Sequence, residues 1–424
     1  MRIGVIDRSV PGWEGGGNYS KVTLASLALV AKDQELHLIS SAAEAPAPAK
    51  LLPLAPVDPL PGEPWLLRRL GLPSRPFALP GEARVRNLVG LTNRADPFDV
   101  ARRAGLDVVL PAAYVPLRQG KLRSVGWIPD FQHVHLPHFF QPGELALRDR
   151  FLTELAARST RLMVSSEAAL ADLKAFAPAH VGKARVVRFG SLFALELPAG
   201  DPARTLRRYH LPEKFALVVN QFWAHKNHAV VVEALDLLRR GGLRIPLVMV
   251  GLPADGRDPQ NATLSRLLQQ IAAADLGGQA VPLGRVTRDE LTDLLRAAAV
   301  VLQPSRFEGW NTTVEDAKAL GRPLLCSDLP VHREQAPRAL GFFGCDDAGG
   351  LAALLAQVWG PLSPGPSADE AAALAEGLAA VRAQGEALLE SCREAVSTYR
   401  LSGNSSAEKL SAATPASRSH RAGR

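Results

Sequence analysis

Short apolar runs alternate with longer amphipathic segments along most of the chain, a pattern typical of repeated strand–helix units in a parallel sheet. The first half of the chain contains predicted strands at residues 3–7, 36–40, 108–110, 124–128 and 161–165, and predicted helices at residues 22–30 and 141–158. The second half contains predicted strands at residues 215–220, 246–250, 280–283, 300–303 and 323–327, and predicted helices at residues 228–239, 263–274, 288–298 and 312–320. We therefore expect an α/β fold.

The strand–helix pattern lapses near residue 198, and this lapse predicts two Rossmann-like domains, residues 1–198 and 199–375. Each is expected to hold a doubly wound, mostly parallel sheet, whose ligands bind beyond the carboxyl ends of the strands. Prolines are dense over residues 43–80, which predicts a long irregular insertion. Residues 376–401 form a predicted helix, and the Ser-, Ala- and Arg-rich residues 402–424 are predicted to be disordered.

The composition and charge of the chain are those of an ordinary globular protein. Its 424 residues are 47% hydrophobic and 21% charged, and they suffice for two buried cores. The formal net charge is +7, but no dense basic stripe interleaved with aromatic residues occurs, so no nucleic-acid partner is expected. A weakly basic surface still permits contact with anionic lipid headgroups, so peripheral membrane contact stays open.

The three cysteines, Cys326, Cys345 and Cys392, are scattered and form no Cys-x-x-Cys pair, so neither a disulfide framework nor a zinc site is expected. A reducing cytosol fits this usage best. The apolar run at the N-terminus is too short for a signal peptide, and no stretch approaches the ~20 apolar residues that cross a bilayer. We therefore expect a cytoplasmic protein, with peripheral contact at the inner membrane face left open.

Residues 303–317 carry the strongest chemical signal. A predicted strand ends at Gln303, a glycine-containing loop follows, and a helix opens near Thr312. The N–H groups and the positive dipole end of such a helix form a ready site for an anion. Asn311, Thr312 and Thr313 add side-chain donors, so this junction is a candidate phosphate site.

Two carboxylates accompany the candidate phosphate site. Glu315, one turn inside the helix, could accept hydrogen bonds from ribose hydroxyls, and Glu308, in the loop, could accept them from a sugar. This order of parts suits a nucleotide sugar that lies across the strand–helix junction. Thr312 and Glu315 also have the spacing of a capping box, which stabilises a helix without any ligand, and the two roles are compatible.

Residues 304–320, followed by Gly-Arg-Pro at 321–323 and Ser-Asp-Leu-Pro at 327–330, resemble the C-terminal domain signature of glycosyltransferase family 4. The resemblance implies a retaining, nucleotide-sugar-dependent enzyme of the GT-B fold, in which two domains face a cleft and a C-terminal helix crosses back to the first domain. The family's usual Glu-x7-Glu pair is matched by Glu308 and Glu315 with six residues between them, so the loop is one residue shorter.

The same resemblance assigns roles to the residues of this junction. Glu315 would bind the ribose, and Glu308 would be the catalytic carboxylate that faces the transferred sugar. Asn311, Thr312 and Thr313 would contact the diphosphate.

Lys226 lies in a second motif, residues 220–228, which follows the first predicted strand of the second domain and opens a helix. A lysine at a helix N-terminus opposes the helix dipole, which favours a phosphate ligand over the alternative of a solvated surface lysine. In the resembling family an Arg-x4-Lys pair binds the diphosphate, and Lys226 matches the lysine. Gln221 stands at the arginine position, so either another arginine compensates or helix amides carry more of the binding.

The third motif, residues 127–137, places Asp130 and His133 on a loop that follows a predicted strand and faces the cleft. His133 and His135 lie close together in sequence, but no carboxylate cluster accompanies them at ligand spacing, and no Asp-x-Asp occurs, so neither a metal nor another cofactor is expected. Family members carry a histidine here that hydrogen-bonds the transferred sugar, and the resemblance assigns this catalytic role to His133. A structural loop histidine is the alternative.

A glycine-rich stretch that includes Gly16 and Gly17 follows the first predicted strand. It lacks the spacing of the Gly-x-Gly-x-x-Gly fingerprint of dinucleotide-binding folds. In the resembling family a glycine-rich loop in this place lets backbone amides approach the donor phosphate and the acceptor, because glycine has no Cβ atom.

Together these motifs and the family resemblance predict a hexosyltransferase that uses a UDP- or GDP-sugar without a metal. The resemblance implies that the acceptor is a saccharide or a lipid-linked glycan, as in polysaccharide biosynthesis. Lys226, the amides of Thr312 and Thr313 and the helix dipole would stabilise the departing diphosphate. A nucleotide-sugar epimerase of the same fold and a non-catalytic glycan-binding module are the alternatives.

Overall fold

The computed structural model consists of two parallel sheets, each flanked by helices, joined by a connecting segment. It describes residues 1–6, 14–40, 85–89, 97–112, 122–253, 258 and 261–411. The predicted insertion at residues 43–80 lies outside these ranges, as do the residues beyond Ser411.

Within the described residues the first sheet has seven strands in the order β3-β2-β1-β4-β5-β6-β7, and all neighbours are parallel. The strands are β1 (Arg2–Ile6), β2 (Glu35–Ser40), β3 (Val85–Val89), β4 (Val108–Ala112), β5 (Arg123–Ile128), β6 (Arg161–Val164) and β7 (Ala184–Val186). The strand order reverses between β1 and β4, where Ile3 pairs with Val108.

The described part of the second sheet has six parallel strands in the order β10-β9-β8-β11-β12-β13. The strands are β8 (Ala216–Val219), β9 (Leu247–Val250), β10 (Ala280–Gly284), β11 (Val300–Gln303), β12 (Leu324–Ser327) and β13 (Gly341–Phe343). The order again reverses, here between β8 and β11. Both sheets are doubly wound, so the predicted α/β architecture is confirmed. Ligands of such sheets bind at the reversal, beyond the carboxyl ends of the strands.

Helices cover both sheets. Those of the first domain are α1 (Glu14–Val30), α2 (Pro97–Arg103), α3 (Gln132–His135), α4 (Pro142–Arg158) and α5 (Glu167–Phe176). Those of the second domain are α6 (Pro202–Arg208), α7 (His228–Arg240), α8 (Ala262–Ala273), α9 (Arg288–Ala297), α10 (Thr312–Ala319), α11 (Pro330–Gln335) and α12 (Ala348–Trp359). The sheets end and begin at Val186 and Ala216, on either side of the predicted boundary at residue 198.

The last helix, α13 (Glu370–Ser411), crosses from the second domain back to the first, as the resemblance implied. Leu388 and Cys392 of this helix join the core formed by α1 and the first sheet. A Cβ atom at Gly385 would lie 2.1 Å from the carbonyl oxygen of Ser26, so glycine permits α13 to approach the backbone of α1 closely. The helix starts earlier and ends later than predicted, and it includes part of the predicted tail.

Two further differences from the predictions concern short or glycine-rich segments. The strands β7 and β13 are only three residues long and lie at sheet edges, which leaves too few positions for a periodic pattern. The glycines Gly16 and Gly17 lie in the first turn of α1, so the predicted glycine-rich loop is in fact the beginning of a helix.

Candidate active site

The carboxyl ends of both sheets open into one cleft between the domains. Its lining comes from α1 and the loops after β5 and β6 in the first domain, and from the loops after β8, β9, β10 and β11 in the second. This is where doubly wound sheets bind ligands. The predicted site residues that line it are Lys226, Glu308, Asn311, Thr312 and Thr313.

Lys226 and Glu308 form an ion pair within the cleft. The distance from Nζ of Lys226 to Oε1 of Glu308 is 2.6 Å, and the two side chains are 11% and 9% exposed. Lys226 ends a short 3-10 turn, Ala224–Lys226, that leads into α7, so it lies at a helix N-terminus as predicted. Burial would raise the pKa of Glu308, but the Lys226 ammonium and the side-chain hydrogen bonds from Lys226 and Ser305 together lower that pKa below its ordinary value. Glu308 is therefore a carboxylate at neutral pH.

Amide side chains also hold Glu308 in place. Nε2 of Gln303 and Nδ2 of Asn311 donate to Oε1 of Glu308 at 3.0 and 2.9 Å. Gln303, at the end of β11, accepts in turn from Nδ2 of Asn220 at 2.9 Å. These buried amides orient the carboxylate through the fold itself. The sequence interpretation missed Gln303 and Asn220 as site residues, although polar residues at the ends of two adjacent central strands were an available signal.

Helix α10 begins with Asn311 as its cap. Oδ1 of Asn311 accepts from a backbone N–H of the first turn at 3.0 Å. The predicted capping box of Thr312 and Glu315 is therefore wrong, because Thr312 is already the first helical residue. The hydroxyl of Thr313 donates to the carbonyl of Val219 at 2.8 Å and so ties α10 to β8. At this junction an anion can be bound by the positive end of the helix dipole and by the first backbone N–H groups of α10.

Glu315 and Asp316 are neighbours in α10, but only Asp316 lines the cleft. Oε1 of Glu315 accepts from Nζ of Lys318 and Nε2 of Gln335, both at 2.9 Å, and Glu315 is 5% exposed. The structure thus contradicts the predicted ribose-facing position of Glu315, because partners within the domain engage its carboxylate. Seven residues separate Glu308 from Asp316, which is the spacing of the family's acidic pair. This spacing in the sequence could have identified Asp316, in place of Glu315, as the second acidic residue of the pair.

Asp316 links the cleft to the segment between the domains, because its carboxylate accepts a hydrogen bond from the hydroxyl of Ser191. Burial raises the pKa of Asp316 to about 6, since the Ser191 hydroxyl and the nearby Arg288 offset burial only in part. Near neutral pH, Asp316 is thus ionised and can accept hydrogen bonds from hydroxyl groups.

Asp130, and not His133, faces the cleft from the loop after β5. His133 is 3% exposed, and its Nε2 lies 3.1 Å from Oδ1 of Asp149. Its ring lies beside that of Phe176. The structure contradicts the predicted sugar-facing position of His133 and favours the structural alternative. Burial raises the pKa of Asp130 despite the N–H that Gln132 donates to it at 2.9 Å.

The loop that carries Glu308 also touches the first domain. A Cβ atom at Gly309 would lie 2.1 Å from the carbonyl oxygen of Pro129 and 2.8 Å from Cβ of Asp130. Next to it, Nε1 of Trp310 donates to the carbonyl of Phe189 at 2.9 Å. The absence of a side chain at position 309 is therefore what allows the two walls of the cleft to meet here.

Cys326, Cys345 and Cys392 are all free thiols. Across the described ranges, no group of three or more His, Cys, Asp or Glu side chains is arranged to hold a metal ion. None of the helices in those ranges is both long and apolar enough to cross a membrane.

Residues 207–344 match the protein family described as Glycosyl transferases group 1. A D-inositol 3-phosphate glycosyltransferase from Streptomyces avermitilis is 28% identical over 187 residues, which are 42% of this chain and 40% of that protein. The match thus spans less than half the length of this relative. The matched residues lie in the second domain and include Lys226 and Glu308, and the similarity indicates a transferase, as the sequence predicted.

Solved structures that resemble nearly the whole chain include the following two. A glycosyltransferase from Rickettsia africae ESF-5 has a TM-score of 0.61 and 15% identity, and covers 93% of this chain and 98% of its own. The HepE protein of Anabaena, in complex with UDP and glucose, has a TM-score of 0.55 and 15% identity, and covers 97% of this chain and 100% of its own. At such identity the likeness establishes the fold alone. The predicted GT-B arrangement is confirmed.

Proposed function

We propose that this protein transfers a hexose from a UDP- or GDP-sugar to a saccharide or lipid-linked glycan acceptor, with retention of the anomeric configuration and without a metal ion. The observation that carries the proposal is the position of Lys226 opposite the N-terminal end of α10 in one cleft, joined through Glu308. A lysine and a helix N-terminus together suit a diphosphate. HepE, a structural neighbour, was solved with UDP, which supports a uridine nucleotide as donor.

In this proposal the second domain holds the donor. The diphosphate lies against the first amides of α10, at Thr312 and Thr313, with Lys226 beside it. Positive groups already in place stabilise the charge that develops on the leaving phosphate, without reorganisation during the reaction. Asp316 accepts the ribose hydroxyls, in the role first predicted for Glu315.

The transferred sugar lies between Glu308 and Asp130, which face the cleft from opposite domains. Because Oε1 of Glu308 already accepts from Lys226, Gln303 and Asn311, this carboxylate is a poor covalent nucleophile. This engagement supports attack by the acceptor on the same face from which the diphosphate departs. The acceptor hydroxyl then passes its proton to the departing phosphate oxygen.

The test is to incubate the protein with a panel of UDP- and GDP-sugars, with and without simple saccharides, in the presence of a chelator. We expect release of the nucleoside diphosphate that depends on the acceptor, and NMR of the product should show the anomeric configuration of the donor. Interconversion of the donor without any acceptor would instead indicate an epimerase. A product with inverted configuration, or activity abolished by the chelator, would overturn the corresponding part of the proposal.

A further inference from the structure

A nucleoside diphosphate carries more negative charge than the single ammonium of Lys226 can balance. This ammonium is already paired with the Glu308 carboxylate at 2.6 Å. Asp130 and Asp316 add two more carboxyl groups to the lining. A multiply charged anion brought into such a site needs a further cation close to it, because desolvated charges are costly unless they are paired.

Among the described residues that line the cleft, the lysine and arginine side chains are Lys226 and Arg285. Arg285 directly follows β10, at the carboxyl edge of the sheet where Lys226 and α10 also lie. Arg285 is an exposed residue that contributes to the lining of this cleft. A guanidinium offers paired donors that match phosphate oxygens.

Backbone contacts bring Arg285 close to Gln221, the position where the resembling family has an arginine. The N–H of Gly251 donates to the carbonyl of Gly284 at 3.0 Å. A Cβ atom at Gly251 would lie 2.9 Å from Cα of Gln221. Arg285 and Gln221 therefore lie on either side of Gly251, which has no side chain to stand between them. Two strand spacings, or ~10 Å, separate Arg285 from Gln221. A long arginine side chain can cover most of that distance.

We propose that Arg285, which follows β10, supplies the second positive charge for the donor diphosphate. This inference rests on the proposed function, because it concerns the same donor. Arg285 would act from β10 where the family's arginine acts from the end of β8. The ligand is a nucleoside diphosphate, bound through its phosphate oxygens.

The experiment is calorimetric titration of the full chain with UDP and UMP, and with GDP and GMP. Loss of a charge-assisted hydrogen bond should weaken binding of the diphosphate about tenfold to a hundredfold in Arg285→Ala. The loss should be smaller for the monophosphate. Gln221→Arg in the Arg285→Ala background should recover most of the affinity, because it restores a guanidinium to the same space. Arg244→Ala, which removes an exposed arginine of the same domain outside the cleft lining, is the matched control.

Three results would overturn the inference. Arg285→Ala could bind the diphosphate as the unaltered protein does, or lose equal affinity for mono- and diphosphate, which would indicate contact with the nucleoside. The double variant could also fail to recover, which would place the guanidinium elsewhere. If the unaltered protein binds no nucleoside diphosphate, the proposed function itself fails, and the two failures are thereby distinguished.

Discussion

The two walls of the cleft come from sheets with the same winding but carry different chemistry. On the second-domain wall, Lys226, Glu308 and Gln303 are joined in one network of charged and amide groups. On the first-domain wall the rings of Tyr19 and Trp127 stack with centroids 3.7 Å apart, and Asp130 stands beside them at the cleft. The fold thus sets where a ligand binds, while the side chains at the strand ends set which ligand it is.

This contrast implies a division of labour. The second-domain wall presents fixed charges, so changes there should weaken binding of the donor. The rings of the first-domain wall are 1% and 3% exposed, so they form a floor beneath the cleft more than a surface for a ligand. Changes on that side should alter transfer and leave donor binding largely intact.

The largest effect is expected from Lys226→Ala. It removes the cation opposite α10 and should lower turnover about 1000-fold, as loss of a preorganised charge does in other enzymes. It also leaves Glu308 buried without its partner, which should destabilise the fold by about 3 kcal/mol. Turnover and chemical denaturation measure the two effects.

A double variant, Lys226→Met with Glu308→Gln, separates the effect on turnover from the effect on fold stability. It should recover most of the stability, because no unpaired charge remains, but none of the activity. Turnover near the unaltered level in either variant would end the assignment of Lys226.

Gly309→Ala should separate the walls without touching the charges. Its Cβ atom would lie 2.1 Å from the carbonyl oxygen of Pro129, so the loop must move away from the first domain. A displacement of this kind should lower kcat about 100-fold. Affinity for the nucleoside diphosphate, measured by titration, should change little because the contacts proposed for the donor come from the second domain alone. An equal loss of affinity would contradict the division of labour.

A matched pair on α10 tests which acid serves the donor. Asp316→Ala should raise KM for the nucleotide sugar about tenfold, the size expected for lost hydrogen bonds to hydroxyl groups. Glu315→Gln should leave KM unchanged, because Glu315 contacts Lys318 and Gln335 instead of the cleft. If steady-state kinetics instead showed a raised KM for Glu315→Gln and an unchanged KM for Asp316→Ala, Glu315 would again be assigned as the acid that binds the ribose.

The smallest effect concerns pH and stability. The pKa of Asp316 is raised from 3.8 to about 6 by burial, so in the folded state its charge is costly above that pH and absent well below it. Asp316→Asn should therefore raise the melting temperature by roughly 3 °C at pH 7.5 and have no such effect near pH 4. A constant difference between the two proteins across this range would show that the carboxyl is not desolvated.

The local sequence pattern by itself determined the strand–helix units of this protein and the junctions between them that line the cleft. The junctions at Lys226 and Thr312 could be predicted because each consists of an apolar run, a polar or glycine-containing loop and an amphipathic helix, all adjacent in sequence. The strand ends and helix starts place a cation and a helix N-terminus at one edge of a parallel sheet, and the structure brings both into one cleft.

Only the tertiary structure decided which of the candidate side chains point into the cleft. Successive residues of a helix point about 100° apart, so either Glu315 or Asp316 could have faced the cleft, and the packing of α11 against α10 through Gln335 settled the choice. In the same way, Asp149 on α4 engages His133 and leaves Asp130 at the cleft. Sequence spacing sets which acids and bases lie near the site, but partners distant in the chain decide which of them reach it.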